Sequence, residues 1–365
     1  MYDFQPETHV ALSEFNQGVG LVNTYSTRNL GDAAIMAALA GLVPAGCVKA
    51  RIDEDAPCAV PGLALVESLK DCRSFISVGG DIFNNARPRL VTRNFLGNVS
   101  RLFQVRERAM VFGQTIPSSC QGLALTLLAQ TLRRTASVTV RDRESHRLLT
   151  RLGVEARLSF DAAFTLQPYR RDIVAGRRLF DRAGFEPDRT ALISVRGFDG
   201  LYRHDPEASL RKLVDLARLL EKRGHRVGVL IQSDVGAADS DRPVARQILK
   251  HVPNARAFDL FEGGPDHTPV RLLQGVLHLA NIVIGVRYHA SVLRLASGRQ
   301  PYNLFYSRKG RDLGERLSLT GCGLEAFDPA TEIDAIEATA QRDFDAAPVA
   351  RDVASAFNAG FGMLA

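Results

Sequence analysis

The chain reads as an α/β protein made of two Rossmann-like units that meet at a cleft. Three observations predict this. Short apolar runs alternate with helical stretches along the sequence, the rhythm of parallel sheets covered on both faces. At 365 residues the chain is long for a single core and suggests two domains. The rhythm breaks once, over residues 169–189, where charged residues, Gly176, Gly184 and Pro187 interrupt it.

Residues 18–22 form the first strand-like run, and 32–42 a helix with Asp32 at its start. A strand over 74–78 ends in Gly79-Gly80. Another spans 109–113 and leads into a helix over 121–133. Residues 137–140 are strand-like, and 143–152 a helix closed by Gly153. This series defines an N-terminal domain over residues 1–170. The second series has strands at 191–195 and 226–231, and an amphipathic helix at 210–223. Helical patterns at 241–250 and 269–279 follow, then the apolar run 281–286 and a helix over 290–297. It defines a C-terminal domain over 171–348. The last stretch, 349–365, is expected to be a helix that packs back on the first domain.

The hydrophobic fraction of 45% describes a globular chain. The net charge of +6, carried mostly by arginine, suits phosphates, anionic glycans or an anionic surface. No arginine-rich tract is interleaved with aromatics, so nucleic acid is excluded as a partner. Cys47, Cys58, Cys72, Cys120 and Cys322 are odd in number and scattered, without a C-x-x-C pair. That argues against a disulfide framework or a zinc site, and for a reducing compartment. Cys47 and Cys58, in a loop-rich region, are core filler or surface thiols. The polar N-terminus lacks a signal pattern, and no apolar run approaches the roughly 18 residues that span a bilayer. A cytoplasmic location is expected, compatible with peripheral contact with the inner face of the membrane.

Four places carry chemistry. Asn29-Leu30-Gly31-Asp32 lies between the first strand and helix, where such folds meet ligands. It lacks the dinucleotide spacing; Asp32 either caps the helix or handles hydroxyls. Gly79-Gly80-Asp81 follows a strand and would let the backbone approach a ligand, with Asp81, Asn84 and Asn85 available to sugar hydroxyls. Arg141 ends a strand, and suits a carboxylate or phosphate; Asp142 beside it caps the helix or pairs with it. Finally, Arg287 and His289 stand between a buried strand and a helix, followed by Lys309. A helix N-terminus beside two cations and an imidazole welcomes an anion.

The order of these blocks resembles the polysaccharide pyruvyl transferase family. The blocks are Asn29-Leu30-Gly31-Asp32, then Gly79-Gly80-Asp81, then Gly113-Gln114 through Arg141 to Asp161, and last Asn281 through Arg287-Tyr288-His289 to Lys309. The resemblance implies two Rossmann-like domains in a GT-B-like arrangement with an interdomain cleft. It implies phosphoenolpyruvate as donor, a glycan or lipid-linked oligosaccharide as acceptor, and a cyclic pyruvate ketal as product, with phosphate released. The catalytic residues carried over are Arg141, His289 and Lys309, with Arg287 as the R of R-x-H. Asn29, Gly31, Asp32, Gly79, Gly80, Asp81, Asn84, Asn85, Gln114 and Asp161 are expected to bind substrate, the N-terminal domain being the acceptor side. No cofactor and no metal are expected. Two departures bear on the acceptor: Asp81 replaces a glycine, and Tyr288 stands where leucine is usual.

Arg141, Arg287 and Lys309 are thus expected to neutralise the donor, and His289 to act as general acid or base. A helix N-terminus lowers its pKa and a bound trianion raises it, so a protonated His289 is expected once the donor binds. Two other readings share the scaffold. One is a glycosyltransferase using a nucleotide sugar, and the other a non-catalytic glycan- or anion-binding protein.

Overall fold

The computed structural model describes residues 18–43, 48–54, 56–85, 90–198, 204–236, 239–262 and 267–364. The chain is α/β with two parallel sheets. In the first half β1 (Val19–Val22) leads into α1 (Leu30–Leu42), then β2 (Val48–Ala50), β3 (Ala64–Leu65) and β4 (Ser74–Ser77). Next come α2 (Arg93–Val105), β5 (Ala109–Gln114), α3 (Gly122–Leu132), β6 (Ser137–Val140), α4 (Arg143–Arg151) and β7 (Arg157–Leu158). The strands order as β3-β2-β1-β4-β5-β6-β7. Chain direction across this sheet reverses between β1 and β4, which is where a doubly wound sheet opens a ligand crevice.

The chain then passes through α5 (Arg170–Ala183) into β8 (Thr190–Ser194), α6 (Pro206–Lys222) and β9 (Arg226–Ile231). A hairpin of β10 (Asp234–Val235) and β11 (Asp239–Ser240) precedes α7 (Arg242–His251), β12 (Arg256–Asp259), α8 (Pro269–Leu279) and β13 (Ile282–Ile284). Four helices finish the chain: α9 (Tyr288–Ala296), α10 (Arg308–Leu317), α11 (Pro329–Ala338) and α12 (Ala347–Phe361). The second sheet orders as β12-β9-β8-β13, so its switch point lies between β8 and β13.

Helix α1 is apolar almost all round and buries ten of its residues. Such a helix needs a wall on every side. It lies between the first sheet and α8 and α9 of the second domain, in one apolar core that includes Ile35, Leu39, Phe164, Leu273 and Val292. Helix α12 lies against the first sheet: Phe357 meets Phe112 edge-on at 5.4 Å, and Ser159 Oγ donates to Asp352 at 2.6 Å.

Three sequence-based expectations change. Residues 170–183 are one helix that runs through Gly176, rather than a broken linker. The glycine is there for a helix crossing: a Cβ on Gly176 would fall 2.6 Å from the Gly275 carbonyl carbon, and one on Gly275 only 1.9 Å from the Asp172 carbonyl oxygen. Asn29, not Asp32, caps α1, its side chain accepting from Gly31 N at 3.0 Å. Helix α9 begins at Tyr288, so His289 sits inside its first turn and Arg287 at its cap. Asp142 caps α4 through Ser145 N at 2.8 Å, leaving Arg141 to other partners. Of the cysteines, Cys72 and Cys120 are buried and Cys58 and Cys322 half-buried; Cys47 lies outside the described residues. Among the described residues no helix is long and apolar enough to cross a membrane.

Candidate active site

Arg141, at the end of β6, is only 2% exposed. Its Nη1 donates to Asp161 Oδ2 at 2.5 Å, its Nε to Thr115 Oγ1 at 2.9 Å, and its Nη2 reaches Asp81 Oδ1 at 3.4 Å. Asp81 also takes Lys309 Nζ from α10, at 2.5 Å. His289 closes the group from α9: its Nε2 lies 3.3 Å from Asp161 Oδ2, at ion-pair distance but off the hydrogen-bonding line. Residues of both domains therefore share one charged cluster.

Helix α10 brings the domains together here. Arg143 pairs with Asp312 at 2.5 Å and with Glu315, and Arg308 pairs with Glu144. Arg316 Nη1 donates to the carbonyls of Arg141 and Ser159, at 2.9 and 2.8 Å. Its guanidinium also lies 3.6 Å from the centre of the Phe160 ring. Lys309 stands in the first turn of α10, His289 in that of α9, and Asp32 in that of α1. First-turn residues of three helices from two domains thus meet at this cluster, alongside Arg141.

Glycines permit the close approach. A Cβ on Gly31 would fall 2.2 Å from His289 Nδ1, so the imidazole rests on α1 only because that position is bare. A Cβ on Gly79 would fall 2.4 Å from the Gly113 carbonyl oxygen. Gly80 has φ +118 and its carbonyl accepts from Gln114 Nε2 at 2.6 Å. Gln114 Oε1 is buried with no hydrogen-bond partner. Tyr288 is an addition to the expected set. Its ring lies under the Arg141 guanidinium at 4.9 Å and within 5.6 Å of Lys309 Nζ, two cation–π contacts that fix both cations. An aromatic inside R-x-H was the visible signal. Thr115, which holds Arg141 Nε, stands in the family-like block that opens Gly113-Gln114-Thr115 but was not among the expected site residues.

Electrostatics divide the ionisable groups. Burial pushes Asp81 up, but Lys309 and Arg141 outweigh it and hold the carboxyl below its usual range. Asp161 is likewise pushed up by burial and pulled well below its usual range by His289 and Arg141. His289 moves the other way: burial is the largest influence, Arg141 and Lys309 add to it, and Asp161 opposes, so its pKa falls below 6.5. Without a donor the imidazole is therefore neutral near pH 7, the reverse of the protonated form expected with donor bound. Asp32 is raised to about 7 by burial and by Asp239, against Lys309 and Arg141.

Arg287 does not join the cluster, against expectation. It is 5% exposed, and its guanidinium donates to Asp241 Oδ1 at 2.6 Å and Asp239 Oδ1 at 2.9 Å, while its Nε reaches the Val195 carbonyl at 3.2 Å. Two carboxylates already satisfy it, so it has no charge left for a donor. Asn29 also has a structural task, donating from Nδ2 to Asp239 Oδ2 at 3.1 Å across the domains. Asn85 fastens its own loop, and the exposed Asn84 is tied to the loop after β5. Asn84 accepts from Ser119 Oγ at 2.6 Å, and Asn85, 1% exposed, accepts from Thr92 N at 2.9 Å.

A surface cavity of about 560 Å³ lies elsewhere, between α5, α7 and β12. Its Arg242 pairs with Asp259 and, at 3.2 Å, with Asp234, so it offers little unbalanced charge. Among the described residues no group of three His, Cys, Asp or Glu side chains is arranged to hold a metal ion.

The model of the family described as polysaccharide pyruvyl transferase matches residues 29–307. No curated protein matches the chain in sequence. Among solved structures, a UDP-GlcNAc 2-epimerase from Methanocaldococcus jannaschii superposes with a TM-score of 0.54 at 10% identity, over 94% of this chain and 99% of that one. A trehalose-6-phosphate synthase superposes with a TM-score of 0.53 at 9% identity, over 95% and 97%. At such identities the likeness concerns the fold, and that fold is the GT-B-like pairing of two Rossmann-like domains across a cleft.

Proposed function

The chain belongs to the polysaccharide pyruvyl transferase family, and from that premise we propose that it transfers the enolpyruvyl-derived group of phosphoenolpyruvate to two hydroxyls of a glycan sugar, forming a pyruvate ketal and releasing phosphate. The observation that carries the reading is the convergence of Arg141, His289 and Lys309 with the first turns of α1, α9 and α10. A small donor with a carboxylate and a phosphate needs such a place: fixed positive ends, two cations, and a group that moves protons.

Asp81, whose side chain is 26% exposed, is the counter-ion a donor displaces from Lys309 and from the second face of Arg141. Asp161, 1% exposed, stays to hold Arg141 and to orient His289. In place of the protonated form expected with donor bound, the imidazole, which burial, Arg141 and Lys309 drive to the neutral form, enters as a base toward an acceptor hydroxyl and later returns that proton to the leaving phosphate. The acceptor approaches from the side of Asp32 and Gly80. The second domain's own switch point speaks against a nucleotide-sugar donor. There Asp239 and Asp241 already occupy the guanidinium of Arg287, which leaves it no free face for a diphosphate.

Incubation with phosphoenolpyruvate and a panel of glycosides or lipid-linked sugars tests the proposal. Phosphate release with the added mass of a ketal on one acceptor is the expected result. Thermal stabilisation by nucleotide sugars and none by phosphoenolpyruvate would reverse it.

A further inference from the structure

Asp32 stands apart from the other carboxylates of the site. Asp81 and Asp161 each hold a cation, whereas the Asp32 carboxyl enters no ion pair within 4 Å among the described residues. It is nonetheless placed at the centre of the site. One of its oxygens would lie 3.7 Å from a Cβ on Gly80, the glycine next to Asp81. The preceding residue, Gly31, carries the imidazole of His289 on its bare Cα. The groups that act on it are Asp239 of β11, Lys309 of α10, Arg141 after β6, Asp81 after β4 and Tyr25 after β1, while His289 of α9 rests on the preceding Gly31. A first-turn position would ordinarily favour the carboxylate, yet burial and Asp239 favour the acid. His289, packed against Gly31, is driven to the neutral form. Two adjacent groups with values pushed apart in this sense are an acid and a base.

Resting on the pyruvyl-transfer reading, we infer that Asp32 is a catalytic acid–base residue that donates the proton to the methylene carbon of the enolpyruvyl group. The electron pair of the C2–C3 double bond takes the Asp32 proton at C3, and C2 becomes electrophilic. The first acceptor hydroxyl forms its O–C2 bond and gives its proton to His289. The C2–O bond to phosphate then breaks, with the pair leaving on phosphate, which collects the proton from His289. The second hydroxyl forms the other O–C2 bond and gives its proton to the Asp32 carboxylate. Both residues end as they began, and no other reactant is needed.

The test compares full-length wild type, Asp32→Asn and Asp32→Glu, measuring phosphate release with phosphoenolpyruvate and an acceptor the wild type uses. Because the acid must be protonated, the wild-type rate falls as pH rises through about 7. Asp32→Asn should lose about 10²–10⁴-fold in kcat while phosphoenolpyruvate still raises its melting temperature. Its residual rate should lack the alkaline limb, and Asp32→Glu should recover part of kcat. A kcat for Asp32→Asn within about threefold of wild type, an unchanged alkaline limb, or loss of the donor's thermal shift would each overturn the assignment and leave pyruvyl transfer standing. A wild type that releases no phosphate with any acceptor would overturn both.

Discussion

The two sheets deliver arginines to two crevices, and the crevices use them in opposite ways. At the first, Arg141 and Lys309 meet Asp81 and Asp161 across the domain boundary, and Asp81 keeps a quarter of its side chain exposed. At the second, Arg287 is enclosed by Asp241 and Asp239 from its own domain, with the Asp241 side chain fully buried. Formal charge balances at the first, and at the second once Arg196, 3.7 Å from Asp239, is counted with Arg287. What differs is whether a counter-ion can be exchanged. A buried pair made within one domain fastens a hairpin to a turn; a half-open pair made between domains leaves a cation that an incoming anion can claim. An arginine at a strand end is thus no ligand site until its counter-ions are known.

The largest effect that would break this contrast is catalytic. His289→Ala should lower kcat by about 10²–10⁴-fold with an unchanged melting temperature, measured as phosphate release; near-normal turnover would remove the first crevice from the chemistry. Arg287→Met should instead act on stability. It strands Asp241, which burial already raises even against Arg287, and should cost about 3–5 kcal/mol in denaturant unfolding. Adding Asp241→Asn should restore much of it, and a stable Arg287→Met with poor donor binding would show that the two crevices act alike.

The next effect separates Asp32 from its paired neighbours. Its folded value of about 7 lies above its ordinary 3.8, so the folded state binds the extra proton between those limits. The stabilisation is complete below about pH 4 and is lost as pH rises towards 7, by up to about 4 kcal/mol. Unfolding free energies of wild type and Asp32→Asn should therefore lie closest at low pH and part as pH rises, the wild type losing stability relative to the variant, and parallel curves would deny the shift. Gly31→Ala, whose methyl would strike His289 Nδ1, should displace the imidazole and lower turnover by about 10²-fold while the fold persists by circular dichroism. Smallest is Tyr288→Leu, which removes two cation–π contacts and should raise the donor KM a few-fold, for about 0.5–1 kcal/mol.

Much of the fold was legible because buried parallel strands are short runs rich in β-branched and aliphatic residues: 137–140 and 226–231 are strands with the limits read from the sequence. Helix α5 was not. Its Gly176 reads locally as a breaker, and only the crossing with Gly275, some hundred residues on, accounts for it. At the site, Arg141, His289 and Lys309 were legible as motif residues and are brought together. The use of Arg287 was not, because its carboxylates lie 46 and 48 positions away, at the cap of α7 and in the hairpin before it, without an apolar signature. The reading of Asn85 as a sugar ligand failed for a similar reason, since an asparagine that fastens its own loop looks the same in sequence as one that faces a ligand.

One measurement bears most directly on pyruvyl transfer at the interdomain cluster. Carbon-13-labelled phosphoenolpyruvate is incubated with the acceptor panel, and the sugars are weighed by mass spectrometry for wild type, Arg141→Ala and His289→Ala. The account predicts a labelled ketal on a wild-type product and almost none with either variant. Labelled product from both variants at the wild-type rate, or none from the wild type with any acceptor, would contradict it.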